Sequence, residues 1–185
     1  MNLRDHLNIV EASTQLEEIK LKPLSYPLYA LEPCMTMRNV QVHYDILTKK
    51  YFKKYAETGD LFQKAGAVLH NDYYWPMLRP YDKNNSPSKK TMEKIEESHG
   101  DFKQFKENIL EKATRLQGSG WVFVMEDLQI QMVQNHLIKP GIIMGIDLWE
   151  HQTVDYKFDR EEFLKEFWYV INWEIFEKRM LENQG

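Results

Sequence analysis

A single cysteine, Cys34, stands among the 185 residues. One thiol makes neither an intrachain disulfide nor a cysteine-rich metal site, and a reducing compartment is the simplest expectation. No apolar run is long enough to span a bilayer, so no membrane insertion is expected. There is no basic excess either: 24 Lys and Arg stand against 28 Asp and Glu, a formal net charge of −4. That balance argues against a dedicated nucleic-acid reader, while leaving room for local patches inside a ribonucleoprotein. The start, MNLRDHLNIVEASTQLEE, lacks the apolar core of a secretory signal and the Arg-rich, acid-poor pattern of a transit peptide, and the expected location is intracellular. Internal repeats and low-complexity tracts are missing too. Aromatic residues, in contrast, make up 13% of the chain, a density that suits a packed core or a dry wall around a reactive centre.

Residues 1–22 read as an N-terminal arm, with Leu3, Leu7, Val10 and Leu16 spaced among polar residues. The prolines of KPLSYPLYALEP then favour an extended connection. From Met37 to Tyr55 the residues Val40, His43, Leu47, Tyr51 and Tyr55 recur at helical spacing. ETGD is a turn, and LFQKAGAVLHNDYYW is a second helix that stops at Pro76. Residues 23–80 thus form a helical hairpin. The polar, proline-bearing YDKNNSPSKK is the best boundary. Residues 81–185 follow as an α/β unit: two helical segments, a β-hairpin turning at Glu126-Asp127, a third strand in IIMGID, and an aromatic-rich helical tail. The fold class is α+β, an N-terminal α-helical hairpin followed by a small three-stranded antiparallel sheet flanked by helices.

The histidines are His6, His43, His70, His99, His136 and His151. His43 and His70 fall on or near the apolar faces of the hairpin helices, and Asp147 and His151 lie four apart after the last strand. Imidazoles with one carboxylate suit iron, manganese, copper or zinc better than calcium or magnesium. A lone histidine on a helix is more often an ordinary core or surface residue, and DxxxH is a common chance spacing. Spacing alone leaves the metal site open.

Four blocks in fixed order bear on it: YALEP at 29–33, DFKQFKENILEKATRLQGSGWVFV, IMGIDLWEH, and KEFWYVINWEIFEKR. Together they resemble the iron/manganese superoxide dismutases over roughly residues 23–180. The resemblance implies one iron or manganese per subunit, held by His43, His70, Asp147 and His151. It implies that Tyr51 gates the funnel, that His136 bonds the solvent beside the metal, and that Trp121 and Trp149 line the site. Glu150 matches a glutamate that reaches the partner's ligand histidine in the family dimer. The implied substrate is superoxide, in the mitochondrial matrix or the cytoplasm, with Tyr51 and His136 as the catalytic proton-handling pair.

Four departures qualify that reading. Leu47 stands where the family has a second histidine, and Thr153 where it expects the tyrosine that meets that histidine across the dimer. Only 27 positions separate His43 from His70, a shortened hairpin. Finally, His70 lies five residues before Trp75, so an ungapped match to the tryptophan puts Asn71 at the ligand position. Phe62 and Gly66 upstream favour His70, an imidazole being the better ligand, and a π-bulge or a slightly rotated turn would absorb the extra residue. The departures keep a second expectation alive: a superoxide-dismutase-like structural subunit of a mitochondrial ribosome or other large assembly. The partner could equally be a homodimer mate or a related subunit.

Overall fold

The computed structural model describes residues 18–182. Most of the expected N-terminal arm, residues 1–17, lies outside the described residues. Thr36 caps the first helical arm, its side chain accepting from the Asn39 N–H. The arm runs as α1 (Met37–Gln41), a π-helical stretch (Val42–Thr48) and α2 (Lys49–Thr58). Gly59 ends it with a φ of 67°, a left-handed C-cap that glycine adopts without strain. Asp60 then caps α3 (Leu61–Val68), which continues into a second π-helical stretch (Leu69–Tyr74). The short ETGD turn folds α3 back on α2, the hairpin the periodicity predicts.

Beyond the loop, Ser88 caps α4 (Lys89–His99) and Asp101 caps α5 (Phe102–Arg115). Three antiparallel strands follow, β1 (Gly120–Met125), β2 (Ile130–Gln134) and β3 (Ile142–Asp147), in the order β2-β1-β3. Every residue of β1 and β3 is buried, as befits strands covered on both faces. The register sets Trp121 opposite Asp147. The aromatic tail divides into α6 (Arg160–Phe167) and α7 (Trp173–Glu182). The break between them falls at Ile171, which bridges to Leu78. Asn172 then restarts the helix: its backbone N–H donates to Met77 O at 2.7 Å and its Oδ1 accepts from the Ile175 N–H at 3.2 Å.

The buried residues form a continuous cluster, from Tyr26 and Leu31 through the hairpin's Tyr74 and Trp75 to Phe105, Phe163 and Phe176. The hairpin is therefore packed onto the sheet layer by shared core. Arg160 fastens the far side, its guanidinium donating to the carbonyls of Ala113, Leu116, Gly118 and Leu148. These contacts fix the ends of α5 and β3, and so hold the strand that ends in Asp147. Among the described residues no helix is long and apolar enough to cross a membrane.

Candidate metal centre

The two helical arms and the end of β3 converge on one buried point. His43 comes from the first π-helical stretch, His70 from the second, Asp147 from the last position of β3, and His151 from the short helical turn Glu150–Gln152. His43, His70 and Asp147 are fully buried, and His151 is half-buried. Asp147 Oδ2 lies 3.1 Å from His70 Nε2, 3.2 Å from His43 Nε2 and 3.3 Å from His151 Nε2. His43 Nε2 is 2.9 Å from His70 Nε2 and 3.2 Å from His151 Nε2. All four donor atoms lie within 4.8 Å of one another.

The protonation pattern shows what such a cluster can hold. Burial lowers His43 to about 3, helped by the neighbouring His151 and only partly offset by Asp147, so its ring is neutral. Burial alone pushes the Asp147 carboxyl up, yet His151 and the bonds from the three rings hold it well below the usual carboxylate range. His70 donates its Nδ1–H to Gly66 O at 2.7 Å, which leaves a lone pair on the Nε2 that faces the cluster. Asp147 Oδ1 is occupied by the Trp149 N–H at 2.8 Å, which frees Oδ2 for the rings. Nitrogen lone pairs and an anionic oxygen packed this closely repel unless a cation lies between them. The 2.9–3.3 Å spacings are those of neighbouring donors about 2.0–2.2 Å from a common ion. Three imidazoles and one carboxylate fit a transition metal.

The two candidate side chains on the second arm point apart. His70 enters the cluster while Asn71 faces the other way, its Oδ1 accepting the Lys22 N–H at 2.8 Å and its Nδ2 donating to Asp72 at 3.2 Å. The π-helical stretch Leu69–Tyr74 takes up the extra residue, and Trp75 still reaches back to donate its indole N–H to Thr48 Oγ1 at 3.0 Å.

A second layer covers the cluster. The Tyr51 ring, two helical turns past His43, stacks on His70 at 5.3 Å and 23°. Its hydroxyl lies 2.8 Å from His136 Nε2, and the Trp121 indole N–H donates to His136 Nδ1 at 3.1 Å. An indole nitrogen only donates, so Nδ1 carries the lone pair and Nε2 the proton. Burial and His70 lower His136 to about 4, which keeps that neutral tautomer. His136 therefore donates to Tyr51, and the Tyr51 O–H remains free to donate elsewhere. Trp149 stacks on the His136 ring at 4.6 Å and 12°. Phe62 leans on the same two rings, at 4.8 and 6.4 Å. Phe62 is a site residue beyond those the resemblance implies; it lies eight residues before His70 near the same helical face, and that spacing is the signal that could have placed it here.

Outside this layer, Glu150 is exposed and accepts from Ser119 Oγ at 2.9 and 3.1 Å. Leu47 is half-buried. Thr153, at the position of the family's cross-dimer tyrosine, is 2% exposed between two short helical turns, and Val154 beside it is exposed.

The family model for the C-terminal domain of iron/manganese superoxide dismutases matches residues 87–179, half of the chain. This chain belongs to the iron/manganese superoxide dismutase family. Its relatives there include a superoxide dismutase [Mn/Fe] of Porphyromonas gingivalis, 29% identical over 86% of this chain and 98% of that protein. The superoxide dismutase [Fe] of Methanothermobacter marburgensis is 28% identical over 86% of this chain and 95% of its own length. That of Bacteroides fragilis is 27% identical over 87% and 98%. Family membership and the three-histidine, one-aspartate cluster together support iron or manganese as the metal.

Proposed function

We propose that this dismutase-family chain converts superoxide to dioxygen and hydrogen peroxide at a mononuclear iron or manganese centre, one per subunit, held by His43, His70, Asp147 and His151. The convergence of these four donors on one point, with neighbouring atoms 2.9–3.3 Å apart, the buried His43 ring neutral and the Asp147 carboxylate ionised, carries the reading. When bound, the metal supplies the one-electron capacity of cycling between +3 and +2, which zinc lacks. Everything else falls to the chain. A single carboxylate against a di- or trivalent ion leaves the site net positive, which draws a small anion. Trp121, Trp149 and Phe62 exclude bulk water. Two superoxides and two protons give one dioxygen and one peroxide, so the protons must arrive where the second electron does. Tyr51 is the donor: His136 fixes its oxygen by donating to it, which leaves the phenolic O–H free to be given up.

The exposed Val42, Val154 and Phe158 line one groove with His151 and Glu150. A second copy or a related subunit seated there would cover the half-buried ligand. The test joins metal analysis of protein from its own source to superoxide removal in a cytochrome c competition assay. The reading expects redox metal and dismutation. Activity no higher than that of free metal ion, with co-sedimentation on ribosomal particles, would replace it with a structural role.

A further inference from the structure

His151 sits on a single helical turn, Glu150–Gln152, with no long element to hold it, yet its Nε2 must stay 3.2 Å from His43 Nε2. The next few residues do the holding. Asp155 reaches the start of the His43 arm, where Oδ2 accepts the Thr36 N–H at 3.0 Å and the Asn39 Nδ2–H at 3.1 Å. Thr36 Oγ1 accepts from the Asn39 N–H and donates to the same carboxylate, at 3.1 and 3.3 Å from its two oxygens. One carboxylate thus takes up a free N–H at a helix start together with the side chains of Thr36 and Asn39. Two further bonds reinforce the junction: Tyr156 donates to Cys34 O at 2.9 Å, and the fully buried Gln152 places its amide N–H 2.9 Å from Met35 Sδ while accepting from Tyr74 at 2.5 Å. Residues 152–156 are therefore tied side chain by side chain to residues 34–39, one ligand on either side of the junction.

We propose that Asp155 is a positioning residue for the metal centre, setting the separation of His151 from His43 by clamping the His151 loop to the helix that carries His43. The clamp acts through hydrogen bonds at the base of the site and touches neither substrate nor metal. The inference rests on the metal-centre reading only for its second readout.

The experiment compares wild type with Asp155→Ala, Asp155→Asn and Asp101→Ala. The last removes a cap at the remote start of α5, where Asp101 Oδ1 accepts the Gln104 N–H at 2.6 Å, and controls for plain loss of a helix cap. In metal-free protein, hydrogen exchange at the His151 ring C2 should be several-fold faster in Asp155→Ala than in wild type or Asp101→Ala. In manganese- or iron-loaded protein, release of metal to a chelator should be about tenfold faster in Asp155→Ala and unchanged in Asp101→Ala. Asp155→Asn keeps one acceptor oxygen and should fall between. Equal ring exchange in Asp155→Ala and Asp101→Ala would overturn the proposal whatever the metal does. A wild type that binds neither metal would count against the centre itself, and ring exchange would then decide the clamp alone.

Discussion

Gly66 carries the sharpest energetic consequence of this site. A Cβ added there would lie 2.8, 2.9 and 3.0 Å from three ring carbons of Tyr51, well inside contact distance. Tyr51 has little freedom to yield, since its hydroxyl is bound to His136 at 2.8 Å and its ring stacks on His70. Gly66→Ala therefore sets two effects against each other. Ala gains about 0.8–1.0 kcal/mol over Gly in the helix, and overpacking costs about 1–3 kcal/mol. The net expectation is a loss of about 0–2 kcal/mol, with the Tyr51 oxygen pushed from its place and dismutation reduced. With the ring removed the clash disappears, so in a Tyr51→Ala background the same substitution should stabilise by about 1 kcal/mol. The sign of the effect reverses between backgrounds, a coupling within the usual range of about 0.5–3 kcal/mol for residues in contact. Urea unfolding of the four proteins, matched in metal content, measures it. Stabilisation by Gly66→Ala in both backgrounds would refute the packing argument.

Tyr51→Phe leaves the His136 Nε2–H without its acceptor and removes the proposed proton donor, and should slow the peroxide-forming half-reaction far more than the dioxygen-forming one; pulse radiolysis of each half-reaction separates them. His70→Ala should abolish metal uptake, while Asn71→Ala, which loses only the Lys22 and Asp72 contacts, should retain it, as elemental analysis will show. Arg160→Met should lower the unfolding free energy by about 2–3 kcal/mol, because four carbonyls at the ends of α5 and β3 lose a charged donor; denaturant titration checks this.

Much of this was legible in the residues because it is local. Helical spacing set Tyr51 on the face of His43, the ETGD turn and the stop at Pro76 marked the hairpin, and the run IIMGID with its following DLWEH set Asp147 at a strand end. The choice between His70 and Asn71 was ambiguous because pattern counting assumes a constant period, and the π-helical stretch changes it. The break at Ile171 was hidden because the apolar run FWYVI has no helix breaker in it; the interruption comes from tertiary bonds, among them those to Leu78, Met77 and Asn85. Asp155 gave no signal at all. Its partners, Thr36 and Asn39, lie more than a hundred residues away, and no periodicity links them.

The central claim is that four converging donors hold a redox metal that dismutes superoxide. Metal content and superoxide removal, measured together on wild type and Asp147→Ala purified from the native source, test it most directly. One iron or manganese per chain with dismutation in the wild type, and loss of both in Asp147→Ala, is the predicted result. Zinc alone, no metal, or metal content and activity unchanged by Asp147→Ala would contradict it.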